Sequence, residues 1–303
     1  MPSSNQIRSR RPPVAEPPEV VDPMWILKAA GAVVAVGLLC SYLTICLFFY
    51  EGQWQFVLHP SRAVPSTPAS LQLAFSPVRF GDDASGQPQL AGWWIPGDSP
   101  SDPTVVMLHS ENGSRSDALG TARALHDARL NVLLFDYRGY GESSGRHPTE
   151  SLMKTDAESA YHFVLDHEHA DPQSLLIYGN GLGASLAVDL CARHRDVAGL
   201  ILESADGDTL SRVEADQRSR IVPIGLLFHE RFPLADPLRT LRTPKLLISY
   251  TQGRAPVEAQ QAADPKITAE LPPHADPAEL TRTLRRFLDL YVTHAPGSLP
   301  PAQ

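Results

Sequence analysis

Residues 176–187 read LIYGNGLGASLA, an apolar run that turns through glycines into helix formers. Two chemistries use that spacing. Gly179, Gly181 and Ala184 match G-x-G-x-x-[GA], in which a glycine turn lets a pyrophosphate approach the backbone N–H groups of a helix N-terminus. Gly179-Asn180-Gly181-Leu182-Gly183 equally matches G-x-S-x-G, the sharp strand-to-helix turn that exposes a serine nucleophile, with glycine where the serine belongs. Glu203, ending the next apolar run, stands at about the spacing of a ribose-binding acid in the first reading. Against that reading, the unit lies deep in the chain after several strand–helix pairs, and nothing upstream looks like a nucleotide subsite.

The surrounding segments must position such a turn. Apolar runs LQLAFSPVRF, LAGWWIP, TVVMLH, NVLLFDY, SLLIYG, AGLILES, KLLISY and KITAEL alternate with helical patterns near 115–128, 149–168, 182–194 and 276–291. Continuous apolar strands of this kind are buried on both faces, so the periodicity predicts a mostly parallel central sheet with helices on both faces. The first two runs, joined by GDDASGQPQ, predict an antiparallel hairpin. Residues 206–242 break the alternation after the sixth strand and predict a small insertion that could overhang a pocket.

Composition narrows the partners. The chain has 303 residues, 43% of them hydrophobic, enough for one mid-sized globular domain with extra segments. A formal net charge of −8 disfavours nucleic acid, because binding a phosphate backbone needs a basic surface. Cys40 and Cys46 fall in the N-terminal apolar stretch and Cys191 stands alone, so the sequence offers no disulfide framework. His162, His167 and His169 lie on or beside an acidic helix and read as a solvated face; no metal and no other cofactor is expected.

The N-terminus predicts a membrane anchor. Residues 1–24 are Pro- and Arg-rich, too polar to build a core, and are expected to be disordered, as is the tail 293–303. Residues 25–50 follow as a transmembrane helix: from Ala29 to Tyr50 no residue is charged, a length of roughly 33 Å at the helical rise, about the thickness of the bilayer hydrocarbon. The stretch ends in Leu47, Phe48, Phe49 and Tyr50, which are too bulky for a signal-peptide cleavage site. Arg8, Arg10, Arg11 and Lys28 precede the span and Glu51 follows it, which predicts a single pass with the N-terminus cytoplasmic and the domain outside. Trp25, Tyr50 and Trp54 stand where interfacial aromatics are found. Residues 51–69 are expected to be a linker and 70–292 the folded domain.

Across about 70–292 the order of motifs resembles the α/β-hydrolase family. NVLLFDYRGYGESSGRHPTE resembles the segment after that family's fourth strand. TVVMLHSENGSRSDAL resembles the loop after strand three, and SLLIYGNGLGASLAVDL the fifth strand, elbow and following helix. GLILESA resembles strand six, TPKLLISYTQGRAPVEAQQAA the acid-bearing loop, and LPPHADPAELTRTLRRFL the histidine loop with the last helix. The N-terminal span followed by QWQFVLHPSR resembles the membrane-anchored, serine aminopeptidase-like branch of the serine hydrolases.

That resemblance implies an α/β-hydrolase fold and a serine–histidine–acid triad. It also implies that most of the triad is gone. Gly181 occupies the nucleophile position and Gly253 the acid position, leaving His274 in the histidine loop. The oxyanion-loop positions are Leu182, after the elbow, and Glu111, whose carboxylate would oppose developing negative charge. Asp206, just after strand six, is a possible substitute acid, while Ser110, Ser185 and Ser204 are the nearby serines, none on the turn itself. The expectation is a pseudoenzyme that binds a small-molecule or protein ligand; a hydrolase of esters or peptides with another nucleophile and a dinucleotide-binding protein stay open as alternatives.

Overall fold

The structure, a computed structural model, describes residues 22–217, 221–250, 261–273 and 275–292. The chain divides after Phe48 into two units. Helix α1 begins in the first at Pro23 and ends in the second at Gly52, two residues beyond each end of the expected span. It is long and apolar enough to cross a membrane. Its apolar side chains are exposed along almost the whole length. The hydroxyls of Ser41 and Thr44 donate to the carbonyls of Gly37 and Cys40, both at 2.9 Å, so these polar groups are satisfied by the helix itself.

The second unit, from Phe49 onward, is built on an eight-stranded sheet. Its strands are β1 (Ser76–Asp82), β2 (Pro88–Ile95), β3 (Thr104–Leu108), β4 (Asn131–Asp136), β5 (Leu175–Asn180), β6 (Gly199–Glu203), β7 (Lys245–Ser249) and β8 (Lys266–Glu270). They lie in the order β1-β2-β4-β3-β5-β6-β7-β8. β2 runs antiparallel to both neighbours, as the GDDASGQPQ hairpin predicts, and every other pair is parallel. The central strands β3, β4 and β6 are buried at every residue, which is why they read as unbroken apolar runs.

Alternate residues of those strands serve two cores. Val105, Met107, Val132, Leu134, Leu176 and Ile201 pack with Leu119 and Leu125 of α2 (Leu119–Asp127) and with Leu284 and Phe287 of the C-terminal helix Pro277–Tyr291. On the other face lie α3 (Glu150–Asp166) and α4 (Gly183–Arg193). After β6, where an insertion was expected, the described residues form three short helices, α5 (Leu210–Ala215), α6 (Ile224–Leu227) and α7 (Ala235–Thr240). The C-terminal helix is α8.

Residues 51–69, expected as a linker, are part of this unit. Val57 and Leu58 are buried, and His59–Pro60 pairs in parallel with Asn112–Gly113 of the loop after β3. The stretch therefore has backbone partners of its own.

Candidate active site

Three glycines let β5 turn into α4 at close quarters. A Cβ on Gly179 would come within 2.5 Å of the Gly183 carbonyl, and one on Gly183 would run into the Leu108 carbonyl, so neither position admits a side chain without moving backbone. Gly181 sits at the tip with φ +57°, in the left-handed region that side chains rarely adopt. Its N–H donates to the Glu203 carbonyl at 3.3 Å, and its carbonyl accepts from the N–H of Ala184 at 3.2 Å and of Asp206 at 3.1 Å. The tip is thus fixed to its own helix and to the end of β6.

Facing the tip is the loop after β3. The Glu111 carboxylate is buried, and its Oε2 accepts the Leu182 N–H at 3.1 Å. That N–H belongs to the start of α4, where backbone donors lack helical partners and favour an anion. The carboxylate fills the room left by glycine: a Cβ built on Gly181 would lie 2.6 Å from Glu111 Oε2 and 3.1 Å from the Ser110 Cβ.

The loop is held by tyrosines from the FDYRGYG segment. Tyr140 donates to the Glu111 carbonyl at 2.8 Å and Tyr137 to the His109 carbonyl at 3.0 Å. The His59 N–H donates to the same Glu111 carbonyl at 2.9 Å. Farther along, Arg115 is buried against Asp136, reaches Glu142, and lies 4.3 Å over the Trp93 ring. Beside them His109 is buried with its Nδ1 on the Ser110 carbonyl at 2.8 Å, and its Nε2, 3.9 Å from Asp136, has no hydrogen-bond partner. Burial pushes its pKa down, outweighing the pull of Asp136, so this imidazole is neutral near pH 7.

The sequence profile of the serine aminopeptidase S33 hydrolases matches residues 99–287. The chain belongs to this family of α/β hydrolases. It is similar to an uncharacterized protein of Mycobacterium tuberculosis, 31% identical over 276 residues that span 86% of this chain and 95% of that one. It is also similar to protein bem46 of Schizosaccharomyces pombe, 33% identical over 106 residues, 34% of this chain and 35% of that one. In fold it resembles a Pyrococcus furiosus esterase with a TM-score of 0.61 at 20% identity, over 78% of this chain and 98% of the esterase.

Within this α/β-hydrolase framework the sequence candidates fall into place unevenly. Gly181, Leu182 and Glu111 come together at the turn. Gly253 and His274 lie outside the described residues. Asp206 reaches the turn only through its backbone; its carboxylate is about half exposed and pairs with Arg212 at 3.2 Å. Ser185 is buried and donates to the Pro233 carbonyl at 2.8 Å, away from the tip. Ser204, at φ +46°, is exposed. Ser110 is the serine nearest the tip, with the Asn112 carbonyl 3.5 Å from its hydroxyl.

Glu203 does not present itself to a ribose. Its carboxylate is buried and accepts hydrogen bonds from Tyr178 and, at 2.8 Å, Tyr250. Burial raises its pKa despite those donors. The Leu182 N–H at the helix start is likewise taken, by Glu111 Oε2. Among the described residues, no group of three His, Cys, Asp or Glu side chains is arranged to hold a metal.

Sequence reasoning missed the seat taken by the Glu111 carboxylate and the two tyrosine struts. The FDYRGYG motif displayed the tyrosines, but nothing local to it shows that their hydroxyls reach a loop 28 and 29 residues upstream.

Proposed function

We propose that this chain is a membrane-anchored hydrolase-fold protein without serine hydrolase activity, acting in ligand binding or protein interaction. One observation carries the reading: the Glu111 carboxylate occupies the Leu182 N–H, in the space that a side chain at position 181 would need. Acyl transfer on this fold requires a nucleophile on that turn and backbone donors free for the oxyanion. Gly181 supplies no hydroxyl, and the donor after it is already bonded to the Glu111 carboxylate. Gly253 in the acid-loop position removes the group that would orient His274. With the nucleophile absent, only the rate enhancement from binding and the oxyanion hole is left, on the order of 10³–10⁴ over water, and here the hole is filled.

The test is labelling of the full chain with a fluorophosphonate, together with hydrolysis of short activated esters against a His274→Ala control. The expected result is no labelled serine and no difference between the two proteins. Active-site labelling at any serine would refute the reading. Ser110 gives the competing one, a hydrolase with a displaced nucleophile, because its Cβ lies so close to the tip. Labelling confined to Ser110 would establish it. α1 would anchor the domain in a single pass, with the N-terminus cytoplasmic.

A further inference from the structure

Outside α1, the large apolar side chains exposed among the described residues are Ile221 (62%), Leu226 (82%) and Leu290 (55%). Two of the three sit on one short stretch, 221–228, in which Val222, Ile224 and Phe228 turn inward and Leu227 is half-buried. The core therefore holds this stretch in place and leaves Ile221 and Leu226 facing out.

The stretch is fastened to the residues that follow the apolar span. Gln53 is buried; its side-chain nitrogen lies within hydrogen-bond distance of the Tyr50 carbonyl at 2.8 Å, the Leu227 carbonyl at 3.3 Å and His229 Nδ1 at 2.7 Å, sharing two N–H groups among them. Its Oε1 accepts the His229 N–H at 2.7 Å. The Tyr50 ring lies 4.9 Å from that of His229. Tyr50, the last residue of the uncharged run, and Gln53 are thus joined to residues 227–229. Exposed Arg231 folds back onto the carbonyls of Gly225 at 3.0 Å and Phe228 at 3.2 Å, keeping a cation beside the apolar pair.

We propose that residues 221–228 form a second, monotopic membrane contact, in which Ile221 and Leu226 enter the interfacial layer of the bilayer that α1 crosses while Arg231 meets head-group phosphate. This rests on reading α1 as a membrane span. An apolar pair with a cation at its rim suits the boundary between head groups and acyl chains. Two side chains fall far short of the roughly 800 Å² per partner that a stable protein interface buries. Lipid is also the apolar phase already present at Tyr50.

The experiment uses the full chain in vesicles of phosphatidylcholine and phosphatidylglycerol. Cys191 is buried, so with Cys40 and Cys46 replaced by alanine an environment-sensitive fluorophore can be placed at Leu226→Cys or Ser101→Cys. Ser101 is exposed in the connection leading into β3, at the end of the strands opposite the α4 turn. A third protein keeps Cys40 alone. The label at 226 should be blue-shifted relative to that at 101 and quenched by lipids carrying a nitroxide near the head group, which leave the label at 101 unchanged. Nitroxides deep in the acyl chain should quench the label at Cys40. An unquenched 226 label beside a quenched Cys40 overturns this contact alone, whether that label is in water or covered by protein. An unquenched Cys40 overturns the span.

Discussion

At position 181 the chain lacks a side chain, and a carboxylate from 70 residues upstream fills the space. The two features depend on each other. A residue with a Cβ at φ +57° carries a backbone cost of about 1–3 kcal/mol, offset in part because glycine loses more entropy on folding. Gly181→Ser must also push Glu111 aside. Thermal unfolding should therefore show a loss of about 1–3 kcal/mol, with no ester hydrolysis gained, even when Gly253→Asp is added. A neutral or stabilising serine would remove the strained turn from the account. Glu111→Ala leaves the Leu182 N–H buried without its partner, a loss of about 1–3 kcal/mol on the same measurement. In the Gly181→Ser background Glu111 is already displaced, so the combined loss should be smaller than the sum of the single losses. Strict additivity would mean that the two positions do not share a seat.

Between elements, the site is a junction of three loops. The segment after α1 pairs with the loop after β3, and both lean on the loop after β4 through Tyr140 and through Arg62, which donates to the Ser143 carbonyl at 2.5 Å. The loop after β4 is in turn tied to α3, where the Arg138 N–H and Nε donate to Asp156 at 2.7 and 2.6 Å. Burial outweighs that pairing and pushes the Asp156 carboxyl up to about 6. The folded chain then holds this proton more tightly than the unfolded chain, whose carboxyl titrates near 3.9. Stability from this group is fully present below that range and falls by about 2–3 kcal/mol as pH rises to about 6. Asp156→Asn should flatten that part of the curve in denaturant melts between pH 4 and 7. An unchanged slope would place the titration elsewhere. The sheet was legible in the sequence because strands buried on both faces are continuously apolar, and the turn because its glycines are sterically required. The junction was not. Glu111 meets Leu182 across 71 residues, and Gln53 meets His229 across 176, so no local pattern reports either contact. Residues 51–69 carry too few buried apolar side chains, Val57 and Leu58 among them, to show a period.

At the scale of the whole molecule, a helix fit to cross a membrane precedes a hydrolase-fold unit whose candidate site is already occupied by its own carboxylate. On the proposed reading of α1 as a membrane span, charge predicts which side that unit faces. Arg8, Arg10, Arg11 and Lys28 flank the start of the apolar run, and the first charged residue after it is Glu51. Basic residues within about 15–20 positions of a span are retained in the cytoplasm, while acidic ones contribute little, so the four cations outweigh whatever Glu51 adds. Arg62 follows within that distance but is spent inside the fold on the carbonyls of Gly141, Ser143 and Gly145. The imbalance therefore favours a cytoplasmic N-terminus. A reporter active only outside the cytoplasm, fused after residue 292, should be active, and protease added to intact cells or spheroplasts should reach the domain. Replacing Arg8, Arg10, Arg11 and Lys28 with glutamine should raise the fraction inserted the other way, because the determinant is then gone. Protection of the domain from outside protease in the unmodified chain would reverse the assignment. An orientation unmoved by the quadruple substitution would mean that something other than the basic flank sets it.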